Sequence, residues 1–274
     1  MPSVLIVGCG DTGTALGQTL LQQGYNVYGL RRNINQLPQG FHRIKADLSD
    51  PAQLQDLPTV DYVVYIVAAS QHDEAGYQSA YVDGLHNIIS ELPSPPKHLF
   101  FTSSSSVYAQ NDKSWVDETS PTEPKSFSGR IMLQAEKTAL STNYPSTVVR
   151  FTGIYGPGRN HLINQVKKGI AAAPKPELYS NRIHRDDCVG VLAYLINQAE
   201  HGTKLEPLYL ATDDTPSPMH EVSMWLAQQM GVDITEFSLS RRAGSKLCSN
   251  QRLRDLGYRF QYPSYKEGYE ALLQ

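Results

Sequence analysis

Gly8, Gly10 and Gly13 stand in the spacing Gly-x-Gly-x-x-Gly, just after the apolar run Val4-Leu5-Ile6-Val7. Just after them comes Thr14–Gln23, in which Leu16, Leu20 and Leu21 recur at helical spacing. Each glycine has its own task in a strand–turn–helix junction. The first permits a tight turn, the second lets the backbone approach a phosphate, and the third lets the helix pack closely on the strand. The helix start, with Asp11 and Thr12 between the glycines, offers N–H groups and a partial positive charge. Capture of a pyrophosphate is the chemistry this serves, and a dinucleotide is the expected ligand. The competing reading is a glycine-rich turn that merely folds.

The end of the next strand-like segment, Asn26–Leu30, selects among dinucleotides. A carboxylate there would bond a ribose 2′-hydroxyl, as NAD requires. Here the chain reads Leu30-Arg31-Arg32, with Arg31 placed 23 residues after Gly8 (31 − 8). A guanidinium can bond a 2′-phosphate with paired N–H groups, whereas a carboxylate would repel it. NADP is therefore expected in preference to NAD; the alternative is two solvated surface arginines. Asp47 either bonds an adenine amino group or forms a turn, and Leu48 is placed to pack on the ring.

The elements that must position these residues follow an alternating rhythm. Strands are predicted at Val4–Val7, Asn26–Leu30, Arg43–Leu48, Asp61–Ala69, Leu99–Thr102, Thr147–Phe151 and Leu208–Ala211. Helices are predicted at Thr14–Gln23, Ala75–Leu92, Gly129–Ser141, Asp186–Asn197 (capped by aspartate) and His220–Met230. Apolar strands alternating with helices imply a parallel sheet with right-handed crossovers, a doubly wound α/β Rossmann architecture. The expected division is a dinucleotide-binding domain over 1–155 with 184–212, and a small C-terminal substrate lobe over 156–183 with 213–274. Ligands in such sheets bind beyond the carboxyl ends of the strands, so a cleft is expected where the two parts meet.

Composition narrows the function classes. The chain has 274 residues, 40% hydrophobic and 19% charged, which suits a folded globular protein. A net charge of −3 and the absence of a basic stripe argue against nucleic acid as a partner. The three cysteines are scattered and form no metal pattern with the eight histidines, so no metal and a reducing, cytoplasmic setting are expected. No membrane span or signal peptide is expected. Trp115 and Trp225 are expected to pack. Helices flanking the sheet could form a homodimer face.

Several segments together resemble the extended short-chain dehydrogenase/reductases, the NAD(P)-dependent epimerase/dehydratase proteins. They are Gly8–Gly13, Asp61–Ala69, Thr102-Ser103-Ser104-Ser105-Ser106-Val107-Tyr108, Arg150–Arg159 and His184–Asp187. The resemblance covers nearly the whole chain, and Ser-Ser-x-x-Val-Tyr and Ile154-Tyr155-Gly156-Pro157-Gly158-Arg159 are rather specific to it. It implies that Val67, Ala68 and Ala69 line the cofactor, that Thr102 and Ser103 lie near the nicotinamide ribose, and that Ser104 is the catalytic hydroxyl. Gly153 takes the place of an Asn that the family carries before Tyr-Gly-Pro.

The departure lies in the family's Tyr-x-x-x-Lys. Aligning Glu136 with the family's acidic residue puts Ser128 at the Tyr place and Met132 at the Lys place, and Tyr81 falls where a cofactor-facing Asn is usual. An atypical branch of the family is implied. Serine and methionine cannot act as a Lys-tuned tyrosine does, and general acid/base help is typically worth ~10²–10⁴ in rate. The catalytic set is then expected among Ser104, Tyr155 and His184, each with a structural alternative (a loop cap, the anchor of a tight turn, and a hydrogen-bonded residue before a helix), with Tyr108 a further proton source or a structural residue. Arg130 and Arg159 either hold an anionic substrate or face solvent, and Lys246, Arg252 and Arg254 are weaker candidates for the same pocket. Two functions remain open. One is an NADP-binding, epimerase/dehydratase-like oxidoreductase acting on an unidentified small molecule, sugar- or nucleotide-linked by family analogy. The other is a non-catalytic NADP(H) sensor or scaffold.

Overall fold

The computed structural model describes residues 1–239 and 245–274. Seven strands build the main sheet: β1 (Ser3–Val7), β2 (Asn26–Arg31), β3 (His42–Lys45), β4 (Tyr62–Tyr65), β5 (His98–Ser104), β6 (Ser146–Phe151) and β7 (Leu208–Ala211). Their order is β7-β6-β5-β4-β1-β2-β3. The pairings of β1 with β2 and β4, of β2 with β3 and of β4 with β5 are parallel. Val4, Leu5, Ile6 and Val7 are wholly enclosed. A strand covered on both faces cannot alternate polar and apolar residues, which explains its continuous apolar run.

The chain leaves β1 toward β2 and β3, then returns to place β4 on the other side of β1. That reversal is the switch point at which open α/β sheets bind ligands. The helix α1 (Asp11–Gln22) covers this region; Leu16 and Leu20 are buried, and Gly17 admits the Phe41 ring where a Cβ would collide with it. The segment expected as one helix over Ala75–Leu92 is α2 (Glu74–Tyr77) and α3 (Gly84–Glu91) joined by a π-helical stretch, Gln78–Asp83. Helix α4 (Phe127–Leu140) is capped by Ser126, whose hydroxyl accepts from Gly129 N–H at 3.1 Å.

The strand expected over Asp61–Ala69 is shorter than its apolar run. β4 ends at Tyr65, and the last sheet-like bond is Ile66 N–H to Val7 C=O at 2.9 Å. The Gly8 turn crosses there and turns Val67–Ala69 into loop.

The chain forms two compact units, Met1–Val107 with Thr122–Arg150 and Val189–Tyr209, and Tyr108–Pro121 with Phe151–Cys188 and Leu210–Gln274. The second contains short strand pairs that periodicity cannot reveal. Gly153–Tyr155 pairs in parallel with Arg182–His184, and Trp115–Val116 pairs with Leu247–Cys248. Trp115, expected to pack, is 62% exposed. Further helices are α5 (His161–Lys167), α6 (Arg185–Glu200), α7 (Met219–Met230), α8 (Gln251–Asp255) and α9 (Tyr265–Leu273). Tyr155, Ile163, Val166, Leu226, Tyr265 and Tyr269 belong to a core cluster of this unit, with Trp225 packed against it.

Candidate functional site

The glycine turn is built from close backbone contacts. Gly8 has φ +97°, and a Cβ there would lie 2.5 Å from the Ile66 carbonyl oxygen. A Cβ on Gly13 would lie 2.6 Å from the Gly8 carbonyl oxygen, so this glycine sets how closely α1 approaches β1. Around Gly10 an added Cβ would meet nothing within 4 Å. Two glycines thus hold the turn shut on the sheet while the middle one leaves it open, as an approaching pyrophosphate requires. Gly10, the residue before α1, has no side chain with which to cap it. These residues fit a dinucleotide. Cys9 lies beneath the turn, and burial pushes its thiol up to about 12, far from reactivity.

At the carboxyl ends of β2 and β3 the positive charge is denser than the Arg31-Arg32 pair alone. Lys45 is the register partner of Arg31. Arg31 and Arg32 are not enclosed, and Arg31 Nη2 donates to Gln36 Oε1 at 2.6 Å. Asp47 Oδ1 accepts from Ser49 N–H at 3.0 Å and from Ser49 Oγ at 2.8 Å. These bonds hold its carboxyl below the usual range and close a turn over Asp47–Ser49. Leu48 presents its carbonyl to Asn87 Nδ2 at 2.8 Å. Along the loop after β4, Val67 and Ala69 are half-buried and Ala68 is exposed. Ala69 N–H donates to the Tyr81 hydroxyl at 3.3 Å, and Tyr81, Tyr77, His72 and Phe127 form a chain of aromatic contacts.

At the end of β5, three successive hydroxyls point to different partners. Thr102 Oγ1 donates to Tyr65 C=O at 3.1 Å. Ser103 is buried and donates to Glu136 Oε1 at 2.5 Å. Ser104 Oγ accepts from Ser106 N–H at 3.1 Å, which leaves the Ser104 proton to be donated. Glu136 is also gripped by Arg150, Nε to Oε1 at 2.9 Å and Nη2 to Oε2 at 2.6 Å. This buried bidentate pair ties α4 to β5 and β6, a role that the alignment of Glu136 with the family's acidic residue does not reveal. Ser128 is half-buried near the Ser126 cap, Met132 is buried, and exposed Arg130 donates to Lys125 C=O at 2.8 Å. A Cβ on Gly129 would lie 2.7 Å from Ser106 C=O, so the first turn of α4 sits against the Ser104–Ser106 loop.

The other candidates lie in the second unit. Tyr108 donates to Asp117 C=O at 2.7 Å, a structural bond. Tyr155 is enclosed beside Tyr269 and lies 3.4 Å from Ser264 C=O; burial raises its hydroxyl pKa above the ordinary value. His184 Nδ1 accepts from Asp186 N–H at 3.2 Å. It therefore caps α6, the task that sequence reasoning gave to an aspartate, and its proton is assigned to Nε2. Burial lowers its pKa, so the neutral ring is the ordinary form. Asp187 is buried and accepts from Tyr258 Oη at 3.0 Å, Gln261 N–H at 2.8 Å and Tyr262 N–H at 2.9 Å, clamping the segment before α9. Arg159 is exposed. Arg252 and Arg254 pair with Glu118 and Asp214, and Lys246 donates to Tyr108 C=O. The chain does contain one Tyr-x-x-x-Lys spacing, Tyr262 to Lys266. Tyr262 precedes α9 and Lys266 lies within it, so the two do not share a helix.

Among the described residues no group of three His, Cys, Asp or Glu could hold a metal, and no helix is long and apolar enough to cross a membrane.

With the nucleotide-type turn at the switch point of a doubly wound sheet, the class is a Rossmann-type binder of a nicotinamide cofactor. Residues 4–211 match the NAD dependent epimerase/dehydratase family, and the chain belongs to that family. A Methylobacillus flagellatus protein assigned as an NAD-dependent epimerase/dehydratase is 39% identical, covering 99% of this chain and 97% of its own, with a TM-score of 0.84. The Thermus thermophilus UDP-glucose 4-epimerase in complex with NAD is 18% identical, over 98% and 96% of the two chains, with a TM-score of 0.79. The human epimerase family protein SDR39U1 with NADPH is 19% identical, over 98% of each chain, with a TM-score of 0.78. At those identities the last two share the fold. No curated protein matches the chain.

Proposed function

We propose that the chain is an NADP-dependent oxidoreductase acting on a small molecule, with proton chemistry that does not run through a Tyr-x-x-x-Lys pair. The observation that carries the reading is the combination at the β1–β2 edge. Gly10 leaves the turn open above α1, and Arg31, Arg32 and Lys45 collect at the neighbouring strand ends, where an NAD site would carry a carboxylate. Gly8–Gly13 would hold the pyrophosphate, Arg31 and Arg32 the 2′-phosphate, and Val67–Ala69 the face beside β4. The human relative with NADPH is consistent with this choice, and the Thermus relative with NAD shows that the fold serves either.

When bound, the cofactor supplies or accepts hydride, which needs positioning more than acid/base strength. Ser104 is the proposed proton donor to the substrate oxygen, because its Oγ already accepts from Ser106 N–H and so directs its own O–H elsewhere. Ser128 and Met132 add no titratable group on α4. Turnover of a carbonyl and nucleotide-sugar panel with NADPH tests the reading. Activity that falls ~10²-fold or more in Ser104→Ala, with NADPH affinity unchanged, is the expected result. Tight NADPH binding with no turnover across the panel would instead indicate a non-catalytic protein.

A further inference from the structure

Four aromatic side chains meet beyond the end of β4. His72 lies on the loop after that strand, Tyr77 ends α2, Tyr81 belongs to the π-helical stretch Gln78–Asp83, and Phe127 opens α4. The ring centres are mutually close: His72 to Tyr77 at 5.3 Å, Tyr77 to Phe127 at 5.4 Å, and His72 to Phe127 at 6.0 Å. These pairwise distances fix His72, Tyr77 and Phe127 around one point, and Tyr81 adds a further ring at 5.1 Å from Tyr77. The cluster is open to solvent. His72 is exposed, and Tyr77, Tyr81 and Phe127 are half-buried.

Its position is one where a ligand belongs. β4 and β5 are parallel neighbours, so the loops that follow them leave the same end of the sheet, the end at which open α/β sheets bind ligands. The Tyr81 hydroxyl accepts from Ala69 N–H at 3.3 Å, which ties the cluster to the loop after β4. Phe127 stands in the first turn of α4, the turn that sits against the Ser104–Ser106 loop. All of these residues lie in one compact unit. The π-helical stretch is a second sign, because such stretches are rare and frequently mark functional sites.

The chemistry of the cluster selects among ligands. Its hydroxyls are engaged within the protein: Tyr77 Oη and His72 Nδ1 share a hydrogen bond at 3.2 Å, and Tyr81 takes the Ala69 bond. What the rings offer is faces and edges, and they meet at steep angles of 76°, 83° and 62°. Edge-to-face packing of this kind leaves ring faces on which a further ring can stack. Sugars and phosphates are held by arrays of hydrogen bonds or by cations, whereas a planar apolar ring is held by stacking. The base of a nucleotide-linked compound is also planar, but a diphosphate separates it from the reacting carbon. This cluster adjoins the Ser104 loop, so the ring it takes is the one that bears the reacting group.

We propose that His72, Tyr77 and Phe127 bind the aromatic ring of the substrate, and that the substrate is an aryl carbonyl compound with its oxygen turned to Ser104. The reaction rests on the oxidoreductase reading above; the ring site does not. Reduction adds the cofactor's hydride to the carbonyl carbon and the Ser104 proton to the oxygen. The products are the aryl alcohol and NADP⁺, and solvent returns a proton to Ser104.

The test compares benzaldehyde with cyclohexanecarbaldehyde, which is similar in size but has no π face, as substrates of the full chain with NADPH. Wild type should show a KM for benzaldehyde lower by roughly threefold to tenfold. Tyr77→Leu and Phe127→Leu should erase that difference, with NADPH affinity, read by fluorescence, unchanged. Tyr77→Phe keeps the ring and should keep the preference. Equal KM values for the two aldehydes in wild type, or a preference that survives both leucine variants, overturn the proposal. Uridine that competes with benzaldehyde more tightly than benzyl alcohol does, and loses that advantage in Tyr77→Leu, assigns the cluster to a nucleobase and also overturns it. Saturation-transfer NMR with benzyl alcohol separates the ring site from the reaction, and the signal should weaken in Tyr77→Leu. Such binding in a chain that reduces neither aldehyde would sink the oxidoreductase reading and leave the ring site standing. Neither binding nor turnover rejects both.

Discussion

At the scale of single residues, two buried polar groups set measurable energies. His98 is buried, with Nε2 at 2.9 Å from Thr147 Oγ1, and Thr147 Oγ1 in turn donates to Glu206 C=O. Burial pulls the His98 pKa down from 6.5 to about 4. Between those values the unfolded chain binds the proton and the native chain does not, so this residue lowers stability as pH falls through that window. The loss approaches about 3 kcal/mol when the native value is reached. Urea melts across pH 4–7 should therefore show wild type losing more stability on acidification than His98→Gln, and parallel curves would contradict the assignment. Glu136 makes the second case. Glu136→Gln removes the carboxylate charge that grips the buried Arg150 guanidinium and weakens the Ser103 bond. The expected cost is about 3–5 kcal/mol in chemical denaturation, and a change within about 1 kcal/mol would show that the pair does not hold α4 in place.

The glycine turn is an element-scale device, and its glycines separate folding from binding. Gly13→Ala would drive a methyl to 2.6 Å from the Gly8 carbonyl, so α1 must move off β1. Loss of about 1–3 kcal/mol in stability is expected, together with loss of NADPH binding. Gly10→Ala meets nothing within 4 Å, and its φ of −78° suits any residue. Its melting temperature should match wild type while NADPH affinity drops, because the added methyl occupies the space that a pyrophosphate needs. Unchanged NADPH affinity in folded Gly10→Ala would mean that the cofactor does not approach there. The turn was legible in the sequence because strand, glycines and helix are contiguous. The end of β4 was not: the apolar run continues to Ala69, but the Gly8 backbone crosses at Ile66 and ends the pairing.

For the whole molecule, the parallel sheet was readable because strands buried on both faces leave continuous apolar runs and the helices between them keep their period. The strand pairs of the second unit were not readable, since two or three residues carry no period and are defined by partners distant in sequence, such as Trp115 with Leu247. The same long-range character hides the polar groups. Nothing near Glu136 in the sequence indicates Arg150. His184 was visible as a candidate, but its bond to Asp186 N–H, which caps α6, was not legible in the sequence. Cofactor choice is the claim on which the functional account turns, and direct titration tests it. NADPH and NADH binding are measured by fluorescence at low salt for wild type and for Arg31→Ala/Arg32→Ala. The account predicts that wild type binds NADPH more tightly than NADH. The double variant should lose roughly tenfold to a hundredfold of NADPH affinity and keep its NADH affinity. NADH binding as tightly as NADPH to wild type, or equal weakening of both in the variant, would contradict it.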